Sequence, residues 1–241
     1  IVARFEEVGR IDADRQALLL LGTAEFAQGD FDEANETFED YIDRAGPAWP
    51  YAMLYLAQIA VQAGDEDEAI DWIDQALLSD LPASVEADSL RTLASAHESA
   101  GNTTEALATY ERAVEAAPTA ADTAEALQRF ADAAVEAGRT ASAANALARI
   151  VREYPGSNEA LVALDQPEVA TSTAITTRDR ALVLFRHQLN GEAGTAFQSI
   201  VDGGGSGVAE AHYYLGILAE RAAQWEEAVS QYDAAMALAE P

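Results

Sequence analysis

Cysteine and lysine are both absent from the 241 residues. Without cysteine there is no disulfide framework, no thiolate nucleophile and no thiolate metal site. Without lysine, all 14 basic residues are arginine, set against 42 acidic residues for a formal charge of -28. Such a surface repels phosphates and offers no basic patch to grip them, so nucleic acid is not an expected partner. The charge reads either as a solubilising surface or as a footprint for a basic partner. No stretch approaches the roughly 20 apolar residues of a membrane span, and the opening residues carry no signal-peptide pattern. Runs of alternating β-branched residues are also missing. Hydrophobic residues make up 49% of the chain, and alanine and leucine dominate them. These residues favour helix, and the chain reads as all-α.

What is present is a spacing. In Gly101 to Pro118, GNTTEALATYERAVEAAP, the glycine closes one helix, and Thr103 or Thr104 is placed to cap the next. Ala106, Tyr110 and Ala113 then fall on one face, and Pro118 stops the helix. The same spacing returns as Gly29, Ala34, Phe38, Tyr41, as Gly64, Ala69, Ile73, Ala76, and as Gly138, Ala143, Leu147, Ile150. Weaker copies stand at Gly191 with Ala196, and at Trp225, Ala228, Tyr232 and Ala235. Seven residues before each turn comes a small or apolar residue: Gly22, Ala57, Ala94, Ala131, Leu184 and, before Ala223, Gly216.

The alanines Ala34, Ala69, Ala106 and Ala143 are 35, 37 and 37 residues apart, close to a 34-residue period. On these residues the chain resembles the tetratricopeptide repeat family. The resemblance implies a right-handed α-solenoid of about six helical hairpins. The expected divisions are a second helix of a truncated repeat over 1–14, as in a fragment of a longer protein, then four repeats over 15–155. A short helix capped by Ser157 or Asn158 and an irregular linker follow over 156–177, and two further repeats occupy 178–241, opened by Thr177 as a cap. The glycine-rich DGGGSG stretch reads as a flexible connector. From Tyr154 to Pro241 the chain also resembles the helical arm of bacterial soluble lytic transglycosylases. The carried features are Arg180, Ala181 and Leu182 before a helix ending at Gly191, then Tyr214, Leu215 and Gly216. This second resemblance implies a cell-envelope setting, with catalysis outside the chain.

Reactive constellations are missing. His97, His187 and His212 have no histidine partner at helical spacing and read as packing residues, so no metal is expected. Acidic clusters such as Asp65 to Glu68 fall on turns and first helical turns, where a solvated face explains them. DFDEANETFED lacks the central glycine of a calcium loop, and the glycines at 203–207 precede no Lys-Ser/Thr pair. No G-x-S-x-G occurs. Neither catalytic residues nor a cofactor are expected.

In the tetratricopeptide family, the first helices of successive repeats line a concave groove that binds peptides or partner helices. The resemblance places Tyr51, Leu54, Gln58 and Gln62 there, with Arg91, Ser95 and Glu98 in the next repeat. Gln128 and Asp132 follow in the fourth, and Tyr213, Ile217 and Arg221 in the last. Asp88 holds another groove position in the third repeat. The expected function is a non-catalytic interaction scaffold for a neutral or basic protein segment, with Tyr51, Leu54 and Tyr213 as anchors. Two alternatives are the arm of a lytic enzyme and a structural subunit of a larger assembly.

Overall fold

The computed structural model describes residues 2–170 and 173–239, with side chains from residue 13 onward except at 170 and 239. It is all-helical, with no strand among the described residues. The chain divides into two compact units, Ile1–Pro118 and Thr119–Pro241, so the division falls between the third and fourth repeats.

The first unit holds three hairpins: α1 (Val2–Gln28) with α2 (Phe31–Asp43), α3 (Trp49–Ala63) with α4 (Glu66–Ala76), and α5 (Ala83–Ser99) with α6 (Thr103–Ala116). Between hairpins, α2 packs on α3 and α4 on α5. The boundary expected between residues 14 and 15 falls inside the continuous α1.

The second unit opens with the hairpin of α7 (Ala120–Glu136) and α8 (Thr140–Glu153). Two short helices follow, α9 (Asn158–Leu164) and α10 (Pro167–Ala170), both packed on α8. The expected irregular linker therefore contains a turn of helix with proline at its first position, where the missing N–H costs nothing. Two more hairpins complete the unit: α11 (Thr177–Arg186) with α12 (Asn190–Gly203), and α13 (Val208–Arg221) with α14 (Trp225–Ala239). The connector at 202–207 is shorter than the sequence suggests, because α12 runs through Asp202 to Gly203.

A backbone device explains the five-residue step from glycine to alanine. Gly29, Gly64, Gly101 and Gly138 all have positive φ, between 69° and 86°. Each ends its first helix in a left-handed residue, which glycine adopts without a Cβ clash. The next amide then reaches back five residues, as Asn102 does to the carbonyl of His97 at 2.8 Å. The carbonyl of that same residue accepts from the alanine four further on, Asn102 from Ala106 at 2.9 Å. One residue thus closes the first helix and opens the second. The alanine faces the hairpin core, where Ala34, Ala69 and Ala143 are wholly buried.

The same bonds correct the register of the fifth hairpin. Its left-handed residue is Gln188, φ 60°, and not Gly191, which lies in the first turn of α12. Leu189 donates to the Leu184 carbonyl and Ala193 to the Leu189 carbonyl, both at 2.9 Å. The buried small pair is therefore Ala181 and Ala193, in place of Leu184 and Ala196, which are only half-buried. In the sixth hairpin Ala223, φ 57°, holds the turn as expected.

Capping differs by a residue in two places. Thr176, not Thr177, caps α11, in a reciprocal capping box with Asp179. Asn102 precedes α6, so Thr103 and Thr104 are helical. Ser157 caps α9 as expected, accepting from the Ala160 amide at 3.1 Å.

Candidate functional site

In the first unit, the first helices of the second and third hairpins, α3 and α5, flank a cleft of about 230 Å³. Pro50 at the start of α3 and Pro82 before α5 set where the two helices begin. From α3 come Tyr51, Leu54 and Gln58, one stripe at steps of three and four, with Tyr51 exposed, and Tyr55 beside them. From α5 come Val85, Asp88, Ser89 and Thr92. Ile73 of α4 and Ala57, both buried, reach the cleft from the hairpin core.

Of the sequence-predicted groove residues, this cleft unites Tyr51, Leu54 and Gln58, together with Asp88. Gln62 is exposed further along α3, and Arg91, Ser95 and Glu98 lie on α5 outside the lining. Arg91 pairs with Asp88 one turn away. Glu98 accepts a hydrogen bond from the Tyr110 hydroxyl of α6 at 3.2 Å. Besides Tyr55, Ala57 and Ile73, the residues missed are Val85, Ser89 and Thr92 of α5. Their signal was available as a small and polar stripe at steps of four and three, offset by about one residue from the positions chosen.

In the second unit the predicted residues are mostly tied to neighbours. Gln128 donates to Asp132 at 2.8 Å, one turn along α7. Arg221 lies 4.1 Å over the Phe185 ring and donates to Asn190 at 2.9 Å, so its charge braces the α11–α12 hairpin. Tyr213 stays half exposed, 6.2 Å from the Tyr232 ring, and Ile217 packs beside the core of that hairpin pair. Desolvation and the Glu220 carboxylate push the Tyr232 phenol above the usual tyrosine range, so it is neutral at physiological pH.

Two of the histidines serve the framework. His187 Nε2 lies 2.9 Å from the Ser157 carbonyl, an arrangement that requires the proton on Nε2. His212 Nδ1 lies 2.6 Å from Gln231 Oε1, joining α13 to α14. Among the described residues no three His, Asp or Glu side chains gather to hold a metal, and no helix is long and apolar enough to cross a membrane. In the cleft, the buried Ser89 hydroxyl is bound to the Val85 carbonyl at 2.7 Å, and Asp88 is the one carboxylate in the lining. These groups can hold an apolar side chain and a polar neighbour. They do not pair a nucleophile with a base.

Tetratricopeptide repeat models match residues 19–84, 87–130 and 125–157, together more than half of the chain. No curated protein matches the sequence. Among solved structures, a tetratricopeptide repeat protein from Parabacteroides merdae is 16% identical, with 94% of this chain and 80% of that one covered at a TM-score of 0.50. PilF of Pseudomonas aeruginosa is 18% identical over 92% and 90%, TM-score 0.46. MamA is 16% identical over 89% and 92%, TM-score 0.47. The family matches end at residue 157 and give the lytic transglycosylase resemblance no support. One of the features that carried it also changes, since the helix after Arg180 ends at Arg186 and not at Gly191. Repeated turns, buried small pairs and family matches agree: the chain belongs to the tetratricopeptide repeat family.

Proposed function

We propose that the chain is a non-catalytic interaction scaffold that takes an extended protein segment along the first helices of its first unit. The observation that carries this reading is the cleft between α3 and α5, whose lining holds an exposed tyrosine, a leucine, a glutamine and one carboxylate. Its volume of about 230 Å³ suits one large apolar side chain. The strong negative charge favours a neutral or basic segment over an acidic one, and disfavours nucleic acid. Tyr51 and Leu54 are the anchors, Gln58 meets the backbone of the segment, and Asp88 takes a basic neighbour.

A selection of displayed peptides against the purified chain tests this reading. Bound sequences are expected to carry an apolar residue next to arginine or lysine. Leu54→Asp should weaken them about tenfold or more, and Tyr51→Ala should weaken them less, with circular dichroism unchanged throughout. Equal binding by wild type and Leu54→Asp would refute the site.

A further inference from the structure

The α5 wall of the cleft brings two hydroxyls and a carboxylate, those of Ser89, Thr92 and Asp88. Both hydroxyls give their proton to a carbonyl of their own helix, Ser89 to Val85 at 2.7 Å and Thr92 to Asp88 at 3.1 Å. Each oxygen is left with lone pairs, and a carboxylate likewise only accepts. This wall therefore asks a ligand for donors. The donor-bearing groups of α3, the Tyr51 hydroxyl and the Gln58 amide, belong to exposed residues that water can serve.

Elsewhere the lining is apolar, with Leu54, Val85 and the buried Ala57 and Ile73. Ser89 is its one buried polar residue, 5% exposed. A purely hydrocarbon side chain seated here would strip water from the Ser89 oxygen and give it no donor in return. A tyrosine would bring a donor together with lone pairs of its own, which the α5 wall cannot satisfy. Lysine, arginine and tryptophan are the side chains that donate and never accept. Of the three, tryptophan alone is uncharged, so it escapes the cost of taking a charge out of water onto an apolar surface. The lining also offers it rings. Tyr51 and Tyr55 both take part, and Tyr55 is held by its stack on Phe38 at 4.9 Å.

We propose, on the reading of this cleft as the binding site, that the residue anchoring the bound segment is a tryptophan whose indole N–H donates to Ser89 Oγ. The cleft of about 230 Å³ has room for one such side chain. Thr92 is more exposed than Ser89, so its oxygen keeps water, and the buried hydroxyl is the one the ligand must satisfy. Asp88, exposed as well, is left to a basic neighbour of the tryptophan.

Peptides selected on the purified chain should carry tryptophan, and calorimetric titration of one of them tests its contact. Its tryptophan is exchanged for benzothienylalanine, which keeps the bicyclic shape and lacks the N–H. On wild type the exchanged peptide should bind about three- to tenfold more weakly, the worth of one hydrogen bond. On Ser89→Ala the two peptides should bind alike, while on Thr92→Val the difference should remain. Unchanged circular dichroism shows both variants folded. Selected peptides without tryptophan would overturn the proposal, as would equal binding of the two peptides to wild type or a difference that survives in Ser89→Ala. If the selected peptides are still lost from Leu54→Asp in those cases, the cleft remains the binding site with another occupant. Peptides indifferent to Leu54→Asp would remove the site and the tryptophan with it.

Discussion

A methyl group on Gly22 would lie 2.8 Å from Cε1 of Phe38, whose ring is fully buried and stacked under Tyr55. Neither ring nor helix has room to retreat. Gly22→Ala is therefore expected to cost about 1–3 kcal/mol by overpacking, read as a lower urea midpoint. At Gly216 the nominal approach to Tyr232 is closer, 2.5 Å, but that ring is only half-buried on α14 and can tilt outward. Gly216→Ala should cost less than Gly22→Ala. Gly194 in α12 meets only Leu218, at 3.7 Å, and its replacement by alanine should be neutral or stabilising by up to about 1 kcal/mol.

The left-handed turns give the opposite sign. Gln188 and Ala223 hold positive φ with a Cβ in place, a strain of about 1–2 kcal/mol at each. After the extra unfolded-state entropy of glycine is subtracted, Gln188→Gly and Ala223→Gly should each stabilise by about 0.5–1 kcal/mol. Thermal unfolding reads this directly. A loss of stability in Gln188→Gly would contradict the assignment of that residue as the fifth turn.

The stacks of Tyr55 on Phe38 and Tyr214 on Phe197 join successive hairpins at equivalent positions. A double-mutant cycle with leucine at each position should return a coupling of about 0.5–1.5 kcal/mol for either pair. Coupling at one pair and none at the other would break the equivalence of the two junctions.

Arg178 of α11 grips Glu210 of α13 with two hydrogen bonds, 2.5 and 2.7 Å, and this bond raises the Arg178 pKa. Both side chains are partly exposed, so solvent discounts the pair. Arg178→Ala should cost no more than about 1 kcal/mol at low ionic strength, and the difference from wild type should shrink as salt is added.

Four of the six turns were legible because glycine occupies the left-handed position and alanine the buried one five residues later, and the sixth, at Ala223, because Ala228 keeps the same step. The fifth was misplaced for a specific reason. Gln188 takes the left-handed conformation, while Gly191 and Ala196, three residues downstream, imitate the same spacing from inside α12. Hydrogen bonding of the Leu189 and Ala193 amides decides the matter, and that is a backbone property no composition reveals. The cleft was half legible. Register found the α3 side, Tyr51, Leu54 and Gln58, since the repeat fixes which stripe of a first helix faces away from its partner. On α5 the lining falls on Val85, Ser89 and Thr92, because how far α5 turns toward α3 is set by packing between hairpins.

The cleft between α3 and α5 is most directly tested by a photo-crosslinking residue placed at Gln58, inside the lining, or at Asp74, exposed on α4, and irradiated with a peptide selected as above. Crosslinking from residue 58 and not from residue 74, lost when Leu54→Asp is added, is the predicted result. Crosslinking from residue 74, or from residue 58 regardless of Leu54, would contradict the account.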